Sequence, residues 1–200
     1  MVIPTYTIND ELEELAVVAA LHYRDQVDEL IITEDGGRLS KELFELSDVY
    51  LHNKHNAGFT RNVNRGWLLS TGDYTMIVNS DTKLLDGKLE DLCIPGKVTC
   101  PDVPTDFVTK MSGLFFCVPK EVKEKYGILN EEMKIYCSDA EYEGRVYDLI
   151  EKVPSVRIYH EQSKTCTAAG VNNDEILQRD REIFARLIKE GKAKQGDFKP

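Results

Sequence analysis

The stretch that decides the fold is Tyr74-Thr-Met-Ile-Val-Asn-Ser-Asp-Thr-Lys-Leu-Leu85. Its first half is an apolar, β-type run (Met76, Ile77, Val78), and the run stops at four polar residues, Asn79-Ser80-Asp81-Thr82. In open α/β sheets ligands sit beyond the carboxyl ends of strands, so a polar cluster placed there is a candidate site as well as a turn. The residues on either side of it decide between the two.

Working back towards the N-terminus, short apolar runs alternate with helical periodicity. Val2-Ile3 opens a strand closed by Pro4-Thr5. Asp10 and Glu13 then form a capping box for a helix with Leu12, Leu15, Ala16, Ala19 and Tyr23 at three-to-four spacing. Leu30 to Thr33 is a second strand, ending in Glu34-Asp35-Gly36-Gly37, and Val49 to Leu51 is a third. A helix from about Asn62 to Leu69 leads into Tyr74 to Val78, the fourth. Strands that alternate with helices predict an α/β fold, a mostly parallel central sheet with helices on both faces.

Working forward, Gly113 to Val118 is a buried strand, followed by Pro119 and a short amphipathic segment to Tyr126. A helix is expected from about Asp139 to Lys152, then a strand Val156 to Tyr159 ending in His160. Residues 161–173, rich in Ser, Thr, Gly and Asn, are expected to form a mobile loop. The last helix, Asp174 to Lys192, carries an apolar stripe (Ile176, Leu177, Ile183, Phe184, Leu187, Ile188) expected to pack on the domain's own core.

Composition narrows the function classes. Two hundred residues with 42% apolar content suit one globular domain. A net charge of −10 argues against a surface built to neutralise nucleic-acid or lipid phosphates, although a local basic groove stays compatible with it. Five cysteines (Cys93, Cys100, Cys117, Cys137, Cys166) without a Cys-x-x-Cys pair suggest neither a disulfide framework nor zinc, and fit a reducing, cytoplasmic setting. No run approaches the length of a membrane span.

Taken in order, "VIPTY", "LIITEDGG", "NKHNAGFTRNVNRGWLLSTGDYTMIVNSDT", "MSGLFFCVPKEV", "GILNEEMKIYCSDAEYEGRV" and "VRIYH" resemble a family 2 glycosyltransferase of the GT-A fold. The resemblance implies one GT-A domain over residues 1–200: a nucleotide-binding half (1–85), an acceptor and catalytic half (86–173), and a C-terminal helix with its tail (174–200). It implies a metal-dependent, inverting enzyme of hexosyltransferase type that moves a sugar from a UDP-sugar to an acceptor hydroxyl on a saccharide, a lipid carrier, a protein or a modified base. A homodimer is compatible with it. The competing readings are an inactive module of the same fold that binds a nucleotide sugar or glycan, and a nucleotidyltransferase. The absence of a glycine-rich, lysine-bearing phosphate loop speaks against the second of these.

The resemblance also places roles on residues. Thr5, Tyr6, Asp35 and Arg61 match positions that frame the base, where a carboxylate at Asp35 would accept the uracil imide N–H and Arg61 would donate or stack. The competing reading of Asp35-Gly36-Gly37 is an ordinary turn, and that of Arg61 a surface charge. Asn79-Ser80-Asp81 stands where the family has Asp-x-Asp: Asp81 inherits the Mn²⁺ or Mg²⁺ that bridges the diphosphate, Asn79 falls at a position that contacts ribose, and Ser80 lies between them. His160 matches a histidine that completes the metal or diphosphate site. Asp139 matches the carboxylate that takes the acceptor proton, with Ser138 in place of the usual preceding acid; a helix cap is the alternative for both. Glu141 is a fallback base, and Arg145 is expected to hold Asp139 or the diphosphate.

Overall fold

The computed structural model describes residues 1–103, 109–161 and 173–200; most of the loop expected at 161–173 lies outside them. The described residues build one eight-stranded sheet in the order β3-β2-β1-β4-β7-β6-β8-β5. Its strands are β1 (Val2–Thr5), β2 (Ile31–Glu34), β3 (Val49–His52), β4 (Tyr74–Val78), β5 (Thr82–Asp86), β6 (Val98–Asp102), β7 (Phe115–Pro119) and β8 (Ile150–His160). β1 pairs in parallel with β2 and β4, as do β2 with β3 and β6 with β8. The pairs β4–β7, β6–β7 and β5–β8 are antiparallel, so the sheet is parallel by majority, as the β-α alternation predicts.

Side chains on successive strand residues face opposite sides of a sheet, and two cores result. On one face Ile3, Ile32, Met76, Val78, Phe115 and Cys117 pack with Ala16, Ala20 and Tyr23 of helix α1 (Asp10–Arg24) and Leu43 of α2 (Lys41–Leu46). On the other, Val2, Ile31, Ile77, Phe116 and Val118 meet α3 (Phe59–Leu69), α4 (Lys120–Tyr126) and α5 (Ser138–Val146) through Val63, Trp67, Val122 and Tyr142. Trp67 stands edge-on to both Phe116 and Tyr142, with ring centroids 6.0 and 5.5 Å away. Each of these buried side chains contributes about 1.5–3 kcal/mol of transfer free energy. A third, smaller cluster joins Phe184 and Leu187 of α6 (Asn173–Lys189) to Met133, Cys137 and Ala140, which is the expected docking of the last helix on its own domain.

Four sequence expectations shift. The cap of α1 is Asn9, not an Asp10–Glu13 box: Asn9 is extended and its side chain accepts the Leu12 N–H at 2.9 Å. α5 ends at Val146 rather than Lys152; Tyr147–Leu149 form one 3-10 turn and Ile150 already starts β8. β8 therefore runs for 11 residues instead of the four expected. β5 and β6 are strands where none was expected, and β5 proves decisive for the site.

Candidate active site

The first half of the site is a scaffold of buried polar groups at the ends of β1 and β2. Glu34, fully buried, accepts from the Thr5 hydroxyl (2.8 Å), the Thr7 hydroxyl (2.9 Å) and the backbone N–H groups of Thr7 and Gly37. Thr5 is thereby committed to the scaffold: its hydroxyl is bonded to Glu34, and its carbonyl takes the Asp35 N–H. Thr5 therefore has a structural role in this scaffold, and half-buried Tyr6 is the more exposed residue of the pair.

Asp35 is 3% exposed and anchors the next loop. Its Oδ1 accepts from Asn53 Nδ2 (2.8 Å) and the Ala57 N–H (2.7 Å), and its Oδ2 from the Gly58 N–H (2.9 Å). Gly58 precedes α3 at φ +94, a conformation that disfavours any side chain, and no side chain of its own caps the helix. Asp35 holds the two residues that lead into α3, with its charge near the positive end of the helix dipole, while the Lys134 carbonyl takes the Thr60 N–H in the first turn at 3.1 Å. A carboxylate has about four acceptor directions. Three are filled, so one remains on Oδ2 for an incoming N–H.

Arg61, one turn into α3, is largely exposed, with Nε 3.5 Å from Glu131 Oε2. It lines a groove of about 460 Å³ together with Asn56, Ala57, Met133, Lys134 and Ile176. That groove opens on the Asp35 side, since Ala57 is both its wall and a donor to Asp35. None of its lining residues belongs to the Asn79–Asp81 turn.

The second half of the site is assembled by β5 and β8. Thr82 lies opposite His160 in the antiparallel ladder, and the Glu161 N–H bonds the Asp81 carbonyl at 3.0 Å. Asp81 and His160, nearly eighty residues apart in sequence, consequently sit with Oδ1 and Nε2 3.3 Å apart, both side chains less than a tenth exposed. The turn is braced from behind. Tyr23, fully buried on α1, donates to Thr82 Oγ1 (3.1 Å), which donates to the Asn79 carbonyl (2.8 Å).

Asn79 Oδ1 and His160 Nδ1 are buried without a hydrogen-bond partner. Buried polar atoms are almost always paired, so unpartnered ones beside a carboxylate–imidazole pair suit a ligand. A carboxylate and an amide oxygen from the 79–81 turn, with an imidazole from the end of β8, make a donor set that fits a divalent cation with hard-oxygen preference. Among the described residues no group of three or more His, Cys, Asp or Glu gathers at one point.

One loop ties this turn to Asp139. The Asn79 N–H bonds the Leu114 carbonyl (2.9 Å), and the preceding residue, Gly113, lies against the Asp139 carboxylate: a Cβ built at 113 would be 2.0 Å from Asp139 Oδ2. The same loop is held to α5 by Glu143, fully buried, which accepts the Met111 N–H at 2.7 Å and the Asp197 N–H at 2.9 Å. Asp139 keeps part of its surface open to solvent, yet its carboxyl is packed closely enough that burial raises its pKa, against the opposing pull of the Ala140 and its own backbone N–H groups. Burial raises Glu143 and Glu141 in the same way.

The helix-cap alternative for Ser138 does not hold. Cys137 occupies the cap position at φ +64, and the buried Ser138 Oγ has no partner. Arg145 is also corrected. Its guanidinium donates to the carbonyls of Tyr126 (2.5 Å) and Ile128 (2.7 Å) and pairs with Glu141 at 2.8 Å, so it fastens α5 to the 126–128 turn instead of reaching Asp139 or a diphosphate. Glu141, 2% exposed and bound to Arg145, is structural and drops out as a fallback base.

Glu34, Glu143 and Tyr23 carried no signal as site residues. The one available cue was that a carboxylate directly after an apolar strand, as in Ile31-Ile32-Thr33-Glu34, needs several donors if it is buried.

Residues 1–94, which include the Asp35 scaffold and the Asn79–Asp81 turn, match the model of glycosyl transferase family 2. No curated protein matches the chain by sequence. Solved structures share its fold over nearly all its length. The mannosyltransferase PcManGT from Pyrobaculum calidifontis, in complex with GDP-Man and Mn²⁺, superposes with a TM-score of 0.68 at 15% identity, over 96% of this chain and 64% of that one. S. aureus TarS 1-349 with UDP-GlcNAc gives 0.62 at 13% identity, over 94% and 65%. Glucosyl-3-phosphoglycerate synthase from Mycobacterium tuberculosis, with Mn²⁺, UDP and phosphoglyceric acid, gives 0.62 at 14%, over 95% and 77%. The fold is therefore that of the GT-A glycosyltransferases, and this chain spans just under two thirds of the first two.

Proposed function

We propose that this protein is a metal-dependent, inverting glycosyltransferase that moves a hexose from a UDP-sugar to an acceptor hydroxyl. The observation that carries the reading is that the 113–114 loop touches both Asp139, through Gly113, and the turn that carries the Asp81–His160 pair, through the Asn79 N–H.

Each group has one task. Asp81 and His160 would hold Mn²⁺ or Mg²⁺, with Asn79 Oδ1 turned to the same space or to a ribose hydroxyl. A cation there supplies positive charge to the departing diphosphate. The imidazole in the set favours Mn²⁺ over Mg²⁺. Oδ2 of Asp35 receives the uracil N–H in its last acceptor direction, and Tyr6 and Arg61 flank the base. Asp139 accepts the proton of the acceptor hydroxyl as its oxygen bonds the anomeric carbon. The bond from that carbon to the phosphate oxygen breaks, and UDP leaves with the electron pair. A single displacement from the face opposite the phosphate inverts the anomeric centre. The raised pKa makes Asp139 a stronger base than an exposed aspartate, which favours proton transfer in the transition state.

The test is titration of UDP by calorimetry with and without Mn²⁺, followed by hydrolysis of a panel of nucleotide sugars. Expected are Mn²⁺-dependent UDP binding, its loss in Asp81→Ala, and release of sugar from UDP-sugars ahead of GDP-sugars. Absence of UDP binding in both conditions would reject the donor and the metal together.

A further inference from the structure

The C-terminal helix lies outside the family-matched residues, and one of its side chains reaches into the site's foundations. Asp180, on α6, is fully buried, and its carboxylate accepts three successive backbone N–H groups: Lys134 (3.0 Å), Ile135 (2.9 Å) and Tyr136 (3.0 Å). Consecutive amides that converge on one anion form a nest, and hydrogen bonds to a charged acceptor are about twice as strong as neutral ones. The next residue, Cys137, stands at φ +64, rarely adopted by a residue with a Cβ. It is followed by Ser138 and Asp139 at the start of α5.

The segment is gripped from the other side as well. The Lys134 carbonyl accepts the Thr60 N–H of α3 at 3.1 Å, and Gly58 packs directly against Lys134. Around Asp180, Phe184 and Leu187 pack on Met133, Cys137 and Ala140, so the carboxylate sits beside an apolar patch where its ion-pair partner, Arg179, is more than half exposed. An apolar residue would serve a purely packing helix at this position better than a buried carboxylate does. The charge has a specific object: the backbone that launches Asp139.

We propose that Asp180 is a positioning residue for glycosyl transfer: by holding the 134–136 amides it fixes the left-handed turn at Cys137 and hence the direction in which Asp139 points. This rests on Asp139 being the base. The C-terminal helix is then part of the catalytic unit, and a nucleotide-binding half can stay intact while the base is misaimed.

Asp180→Asn tests it. The amide keeps one acceptor oxygen but turns an N–H₂ group towards at least one backbone donor. Expected are hydrogen exchange at 134–137 accelerated at least tenfold with α1 and α3 unchanged, and Mn²⁺-dependent UDP affinity within about twofold of wild type. The turnover number should fall about 10²-fold with little change in donor KM, the loss typical of a catalytic group displaced by about an ångström. In an Asp139→Asn background the second substitution should add nothing, because Asp180 acts only through Asp139. Wild-type turnover, unaltered exchange at 134–137, or losses that multiply in the double variant would each overturn the proposal. Should Asp180→Asn not fold, Asp180→Glu retains the charge but displaces it by one methylene, and normal turnover in that variant overturns the proposal equally. If wild-type protein uses no nucleotide sugar, the transfer reading fails by itself, while the exchange experiment still decides whether Asp180 governs the 134–137 backbone.

Discussion

Gly113→Ala is the sharpest probe of the site, because the three nearest atoms its side chain meets all belong to Asp139. An alanine Cβ at 113 would lie 2.0 Å from Asp139 Oδ2, 2.8 Å from its Cγ and 3.0 Å from its Cβ. Ordinary contact begins near 3.4 Å, so the carboxylate oxygen must retreat by about 1.4 Å. Gly113 does not adopt a left-handed φ, so alanine adds no backbone strain, and the perturbation falls on the Asp139 side chain. Displacement of a catalytic group by about 1 Å lowers rate about 10²-fold, equivalent to about 2.7 kcal/mol of transition-state stabilisation. Steady-state transfer by Gly113→Ala should therefore show turnover reduced by about that factor, with calorimetric UDP and Mn²⁺ binding unchanged. A variant with wild-type turnover would refute the placement of Asp139 as base. One that loses UDP binding as well would show that the 113–114 loop serves the donor rather than the acceptor.

Three further outcomes follow from the same geometry. Asn79→Asp puts a second carboxylate beside Asp81 where the amide oxygen has no partner; Mn²⁺ affinity should rise about tenfold or more, while the metal-free protein melts at a lower temperature, and weaker Mn²⁺ binding by calorimetry would place Asn79 outside the cation's reach. Burial raises the Asp139 pKa, so the protonated form is the one the fold favours. Its contribution to stability is present below the unfolded pKa and lost as pH rises through the folded one, a tenfold difference in proton affinity between the two states being equivalent to about 1.4 kcal/mol. Asp139→Asn should accordingly melt higher than wild type at neutral pH and not in acid, while wild-type transfer declines as pH falls through that raised pKa; a destabilised Asn variant at pH 7 contradicts this. Asp35→Asn turns an N–H₂ group on either the Ala57 or the Gly58 donor, which bond different carboxylate oxygens, at a cost of about 1–3 kcal/mol. Thermal unfolding should record a fall of about 2–4 °C per kcal/mol at this chain length, alongside weaker UDP binding.

The first four strands were legible because β-branched runs and three-to-four helical spacing each kept their own period up to Val78. β8 was not, for a physical reason: its buried residues Ile150, Val153 and Val156 recur every third position, the spacing of a helix face, and this makes α5 look longer than it is. The irregular pairing of β6 with β8, which shifts register between Pro101 and Asp102, accompanies that departure from simple alternation. β5 was hidden because it begins inside the polar motif itself, at Thr82, so no separate apolar run announces it. Asp81, His160 and Asp139 stand out as candidates in their motifs, but the approach of Asp81 to His160 depends on β5, and the link to Asp139 on the 113–114 loop, which no local pattern announces. Arg145 shows the reverse error. A helix arginine near a motif looks functional until its three acceptors, two of them carbonyls of the 126–128 turn, are in view.

The β5–β8 pairing also orders events during synthesis. The strand that follows Asp81 finds its partner only in residues 157–160. At about 5–20 residues per second of translation, the turn waits several seconds after its own residues emerge before the imidazole can reach it. A nascent chain released early would carry the first four strands with an open, unpaired β5 and a lone carboxylate at Asp81. Such fragments should be substrates for chaperones and proteases, and the finished Asp81–His160 pair a late marker that the whole sheet has closed.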